Sequence, residues 1–148
     1  MIFLAVPLVV VFAEDFNDQT KCKQVALNQI EQGAGVIFQV AGGCGLGALD
    51  AAKEKGVWGI GVDADQSFLG PHILTSAVKR VDTAVFDAIK LIAEGKFKGG
   101  NIVFGLKDNG VGIGKISPKV PRSEVAKVMQ IRADIVAGKI KNIPTTLK

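Results

Sequence analysis

With 148 residues, 48% of them hydrophobic and 22% charged, the chain has the size and composition of one globular domain, which excludes a disordered chain. Its formal charge of +4 is spread along the sequence and aromatics make up only 6%, so it lacks the basic patch with interleaved aromatics that would favour nucleic acid. Cys22 and Cys44 have no C-x-x-C spacing and a single histidine for company, which excludes a structural zinc site; two free, partly buried thiols are expected in preference to a disulfide.

The N-terminal run 1–13 is apolar and ends in a small residue, like a signal sequence. It lacks a positively charged start, no cysteine follows for lipidation, and it is too short to span a bilayer. Its β-branched portion, 8–13, therefore reads as a buried strand. Asp15-Phe-Asn-Asp18 supplies turn and N-cap chemistry. A helix follows from about Gln19, with Val25, Ala26, Leu27 and Ile30 inward, and stops near Gly33.

A second buried strand is expected over 36–41, a short helix over 46–55 with Gly56 as its stop, and a third strand over 57–62. Strand, helix, strand, helix, strand in this order implies an α/β fold with a parallel sheet and right-handed crossovers. Beyond Asp65 the rhythm changes. A loop through Gly70-Pro71 leads to an extended stretch, 73–79, and then to the clearest helix. There Val81, Ala84, Val85, Ala88, Ile89 and Ile92 keep the i, i+3, i+4 spacing up to Gly95. A further strand is expected over 101–106 and a last helix from Pro121 to Gly138, carrying Val125, Val128, Ile131 and Ile135. The tail after Lys139 reads as a strand or a loose end.

Chemistry concentrates where strands end in glycines and carboxylates: Val40-Ala-Gly-Gly-Cys-Gly-Leu-Gly47, and then Gly-Ile-Gly-Val-Asp63-Ala-Asp65. The carboxyl ends of strands in an open α/β sheet are where small ligands bind. Gly43-Cys-Gly45-Leu-Gly47 is one residue short of the dinucleotide fingerprint, and no Gly-Lys-Ser/Thr closes it as a phosphate loop. The turn can instead be a tight strand-to-helix connection, although its glycines outnumber what geometry alone requires. Asp63 and Asp65 lack the companions of a metal site or an acid/base pair. A carboxylate at a strand end is suited to accept two hydrogen bonds from a vicinal diol, with a cation such as Lys79 donating to the same hydroxyls. Phe16, just past the first strand, is either a core aromatic or a stacking platform for a flat ring. His72 reads as a loop residue and Trp58 as core packing.

The segments "DFND", "GAGVIFQVAGGCGLGALDAAKEKGVWGIGVDADQ", "ILTSAVKRVDTAVFDAI" and "GKFKGG…VFGLKDNGVG" resemble the basic membrane protein family, bacterial substrate-binding lipoproteins of nucleoside ABC transporters, over about residues 9–138. The resemblance implies a type I periplasmic-binding fold, two α/β lobes that close on ligand. Residues 8–72 would form the ligand-binding lobe, and 73–148 the crossover and helices returning toward the first lobe. It further implies that Phe16 stacks on a purine, Gly42 offers backbone close to the ligand, Asp63 takes ribose hydroxyls and Lys79 stands beside them, Asp65 being the weaker candidate. The implied partners are a purine nucleoside and the ABC permease subunits of the same transporter, at the extracytoplasmic face of the membrane; no catalytic residue, metal or cofactor is implied. Cys44 stands where the family usually has Thr or Ser. The chain begins about where the family's second lobe begins, so the family's N-terminal segment, its lipidated cysteine and the opposing aromatic are expected to be missing. The helix over 81–92 should then show an apolar face, and the chain alone should bind purine nucleosides weakly or not at all. The competing readings are a small nucleotide-cofactor enzyme using the glycine turn and a cytosolic regulatory relative.

Overall fold

The structure, a computed structural model, describes residues 8–141 and Ile143. Asp15 and Asp18 start the first helix. The Asp15 carboxylate accepts from the amides of Asn17 and Asp18, and Asp18 caps α1 (Gln19–Glu31) by accepting from Thr20 and Lys21. Gly33, at φ 97°, provides the left-handed residue that ends it. The chain then runs through β1 (Val36–Phe38), α2 (Gly45–Glu54), β2 (Trp58–Asp63), a single 3-10 turn at Ser67–Leu69 and β3 (Ile73–Lys79). It continues as α3 (Val81–Ala93), β4 (Val111–Ile113) and α4 (Arg122–Val136).

The four strands form one sheet in the order β1-β2-β3-β4. The first three are parallel, Val36 opposite Trp58 and Asp63 opposite Val78. β4 is antiparallel, with Val111 opposite Lys79. α1 and α2 cover one face. Small residues at their contact, Ala26 on α1 and Ala48, Ala51 and Ala52 on α2, let the helices approach closely over buried Ile37. Lys23 of α1 bridges to Asp50 and Glu54 of α2 at 2.6 and 3.0 Å at the rim.

The parallel α/β order expected from the sequence is present through β3, with the expected helices and strands that form lying within three residues of their expected bounds; the antiparallel β4 is not among those expected. Three expectations are corrected. Cys22 and Cys44 are joined as a disulfide, their Cα atoms 5.5 Å apart, rather than free. α1 and the glycine turn are far apart in sequence, and only packing α1 on α2 brings the two thiols together. Residues 8–13 and 101–106 are not strands. Both have strand-like composition, but a strand exists only where a neighbour accepts its hydrogen bonds, and among the described residues none pairs with them. Part of the N-terminal run, residues 1–7, and most of the expected tail, 142 and 144–148, lie outside the described residues.

The second face of the sheet and the last two helices are sparsely covered. Val36, Phe38 and Val40 alternate outward from the edge of the sheet and remain exposed. On α3, Val81 and Ile89 keep 63% and 60% of their surface, and Val85, Phe86 and Ile92 are exposed as well. The apolar face expected on this helix is therefore present.

Candidate functional site

The glycine turn follows β1, and the turn's own hydrogen bonds pin it to the loop ahead of α1. The Cys44 amide donates to the Phe16 carbonyl at 2.9 Å, and the disulfide at Cys44 reinforces the same junction from the side of α1. Gly42 adopts φ 56°, and a Cβ there would stand 3.2 Å from the Phe16 carbonyl oxygen and 3.6 Å from ring atom Cδ1. The Phe16 side chain therefore lies against bare backbone. It is 71% exposed, so it is a presented ring and not a core aromatic.

β2 ends one strand further along. The Ala64 amide donates to the Val62 carbonyl at 2.8 Å across Asp63, whose φ is 67°. This is a γ-turn with a non-glycine residue at its strained centre, the kind of backbone that persists where the surroundings impose it. The turn lifts the Asp63 carboxylate clear of the sheet, where the Lys79 ammonium of β3 meets Oδ1 at 2.7 Å. Both side chains are more than half exposed, so the pair adds little to stability. It presents an acceptor and a donor side by side, the arrangement a vicinal diol can engage.

Asp65 is differently employed. Its two carboxylate oxygens accept from the amides of Ser67 and Lys115, at 3.1 and 3.2 Å. Burial pushes its carboxyl upward, but these bonds outweigh it and hold the group below the usual carboxylate range. Asp65 thus ties the loop after β2 to the segment after β4.

The four residues singled out from the sequence therefore come together as two pairs, Phe16 with Gly42 and Asp63 with Lys79, on neighbouring strand ends. Between them lies a link that the sequence did not announce. Buried Gln39, 5% exposed, accepts from the Ala41 amide through Oε1 and donates from Nε2 to Oε1 of Gln66 at 3.0 Å. The same Gln66 oxygen accepts from the Val62 amide at 3.1 Å, and the Gln66 amide donates to the fully buried Ser76 hydroxyl at 3.0 Å. The only hint in the sequence is a glutamine within an otherwise apolar stretch, 36–41, which must find partners when buried.

This link explains part of the glycine content. A Cβ at Gly45 would enter the Gln39 amide, one at Gly61 would meet Ser76 Oγ and Gln66 Oε1, and one at Gly47 would enter the Gln19 carbonyl. These glycines make room for the protein itself, whereas Gly42 and Gly43 are exposed. Within the turn only Gly42 and Gly43 present open backbone, which disfavours a phosphate cradle running through Gly47.

Two grooves of about 270 and 400 Å³ lie near the sheet, one lined by Ser67, Gly70, Ile73 and Lys115, the other by Val78, Arg80, Asn109 and Arg132. Phe16, Gly42, Asp63 and Lys79 line neither. They lie on exposed surface outside both grooves.

His72 precedes β3. Its two ring nitrogens are buried with no partner at full hydrogen-bond geometry, and burial holds the imidazole below its ordinary pKa of 6.5 against a smaller upward pull from the nearby Leu49 carbonyl. It is a neutral packing residue beside Gly59 and Gly70.

Comparison with known proteins agrees with this architecture. The family described as ABC transporter substrate-binding protein PnrA-like matches residues 5–145. An uncharacterized lipoprotein of Pyrococcus abyssi is 37% identical over 135 residues, 86% of this chain and 31% of the relative. The ABC transporter nucleoside-binding protein BmpA of Lactococcus lactis is 36% identical, covering 87% of this chain and 42% of its own length. Among solved structures, an ABC transporter solute-binding protein from Aeropyrum pernix superposes with a TM-score of 0.77 at 27% identity, over 92% of this chain and 48% of that one. A transcriptional activator of the comK gene from Bacillus halodurans shares the fold, with a TM-score of 0.82 at 24% identity. The chain spans about a third to a half of the length of these relatives. It belongs to the PnrA-like, basic membrane protein family of ABC transporter substrate-binding proteins.

Proposed function

We propose that this chain carries one wall of a nucleoside-binding cleft, in the substrate-binding component of an ABC transporter. The observation that carries the reading is the pairing on adjacent strand ends of an exposed ring over bare backbone, Phe16 on Gly42, with a carboxylate-ammonium couple, Asp63 and Lys79. A flat base stacks on the first and a ribose diol hydrogen-bonds to the second. A purine is the base of choice because its larger face gains more from stacking. Residues 8–72 would form the ligand-binding lobe and the segment from 73 on the crossover toward the other lobe, with β3 and β4 still in the sheet of the first. In the whole protein a facing lobe would enclose the ligand, and the closed form would dock on the permease subunits.

Placement outside the cytoplasm as a lipoprotein rests on the name of the Pyrococcus relative and on the disulfide, since such bonds persist in oxidising compartments. No helix among the described residues is long and apolar enough to cross a membrane.

The test is titration of the isotopically labelled chain with guanosine, with cytidine and ribose as comparisons, followed at the backbone amides. Weak, saturable shifts are expected at Phe16, Gly42, Asp63 and Lys79, larger for guanosine than for cytidine. An open wall cannot exclude water, so the affinity should be weaker than about micromolar. Shifts that avoid these four residues at saturating guanosine would overturn the proposal.

A further inference from the structure

We propose that Gln39 is a positioning residue that holds the two halves of the wall in fixed relation, acting through Gln66 and touching no ligand itself. The proposal rests on the nucleoside reading for its consequence in binding, but its geometry stands independently.

The argument begins with two backbone amides. Ala41 immediately precedes Gly42, and Val62 immediately precedes Asp63. Along β2, the Trp58 amide points to the β1 side, bonding to the Gly35 carbonyl, and the Gly59 amide points to the β3 side, bonding to the His72 carbonyl. By alternation the Val62 amide faces the β1 side, but β1 has ended at Phe38. Its donor would be left inside the sheet edge without a strand to accept it. Gln66 Oε1 takes that role.

The two amide orientations are then fixed without appeal to where hydrogens are drawn. Val62 can only donate, so Gln66 must turn its oxygen toward it; Ala41 can only donate, so Gln39 must do the same. Nε2 of Gln39 is left facing the Gln66 oxygen, and the 3.0 Å bond between them closes the chain from Ala41 to Val62. The Ser76 hydroxyl, three residues before Lys79 in β3, anchors the Gln66 backbone from the other side. Glycines at 45 and 61 vacate the volume these side chains occupy.

This polarity makes the two glutamines unequal. Gln66 acts through its side chain only as an acceptor, so Gln66→Glu keeps both bonds. Gln39 must accept and donate, so Gln39→Glu sets oxygen against oxygen. Gln66 then turns its amide over, and the Val62 donor loses its acceptor. Gln39→Met, of similar shape and without polar atoms, removes the link without adding charge.

The experiment is amide hydrogen exchange on the full chain and these three variants, with Gly61, whose amide faces β3, as the internal reference. Exchange at Val62 is expected to quicken about tenfold relative to Gly61 in Gln39→Met and Gln39→Glu, and to stay within about threefold in Gln66→Glu. Unchanged Val62 exchange in Gln39→Met, or equal losses in Gln66→Glu and Gln39→Glu, overturns the proposal. The same samples titrated with guanosine should show about tenfold weaker binding for both Gln39 variants and near-native binding for Gln66→Glu. Native-like guanosine affinity in Gln39→Met also overturns it. If the unaltered chain gives no guanosine shifts, the nucleoside reading fails and the exchange contrast alone decides the role of Gln39.

Discussion

Gly42 lies beneath Phe16 with its backbone at φ 56° and no room to spare, an added Cβ coming within 3.2 Å of the Phe16 carbonyl oxygen. Two separate demands, left-handed backbone and close approach, fall on one residue. Gly42→Ala should therefore cost about 1–2 kcal/mol in denaturant unfolding. It should also displace the Phe16 resonances more than those of Asp63. A loss below about 0.3 kcal/mol would mean that the turn relaxes freely.

Asp63 sits at the centre of a γ-turn at φ 67°. Asn tolerates that backbone nearly as well as Asp, whereas a β-branched residue does not. Asp63→Asn should leave the unfolding midpoint almost unchanged, and Asp63→Val should lower stability by about 2 kcal/mol. Both should abolish the guanosine-induced shifts at Lys79. Stability and binding are thus separable at a single position, and a binding loss confined to Asp63→Val would contradict the diol role.

The Cys22–Cys44 disulfide closes a loop with a sequence separation of 22 and fastens α1 to the turn that carries Gly42. Reduction should cost about 3 kcal/mol by the chain-entropy account. Both sulfurs belong to nearly or fully buried residues, so a mild thiol reductant should act slowly on the native chain and quickly once denaturant is added. Thiol titration before and after denaturation checks both points, and free thiols in the unreduced, denatured chain would refute the pairing.

His72 gives the chain a pH dependence of definite sign. Its folded pKa lies below 6.5 because burial disfavours the charged ring. The unfolded state therefore binds the proton first, and stability, full above about pH 6.5, falls as the pH drops toward the folded value. The melting temperature should decline across this window in the native chain. His72→Phe, which removes the titrating ring, should flatten that decline; an unaltered slope would assign it to other groups.

Local periodicity made most of the architecture legible. The α3 ridge, the Asp18 cap of α1 and the apolar stretches of β1 and β2 declare themselves within a dozen residues each. Phe16, Gly42, Asp63 and Lys79 stand out through the motifs that carry the family resemblance, and the structure pairs Phe16 with Gly42 and Asp63 with Lys79. What escaped depends on distant parts of the chain. The disulfide needs α1 laid on α2, β4 needs Lys79 as a neighbour, and the Gln39–Gln66 bond needs two loops 27 residues apart. Residues 8–13 and 101–106 failed in the opposite way, since valine and isoleucine advertise a strand without supplying the strand beside it.

The bare ridge of α3 makes this chain a hydrophobic solute as much as a folded protein. Contact between such surfaces weakens on cooling and strengthens with excluded salts such as sulfate. Self-association through Val81, Val85, Ile89 and Ile92 should therefore recede near 0 °C and grow on warming or on addition of ammonium sulfate, the reverse of an aggregate held by its surface charges.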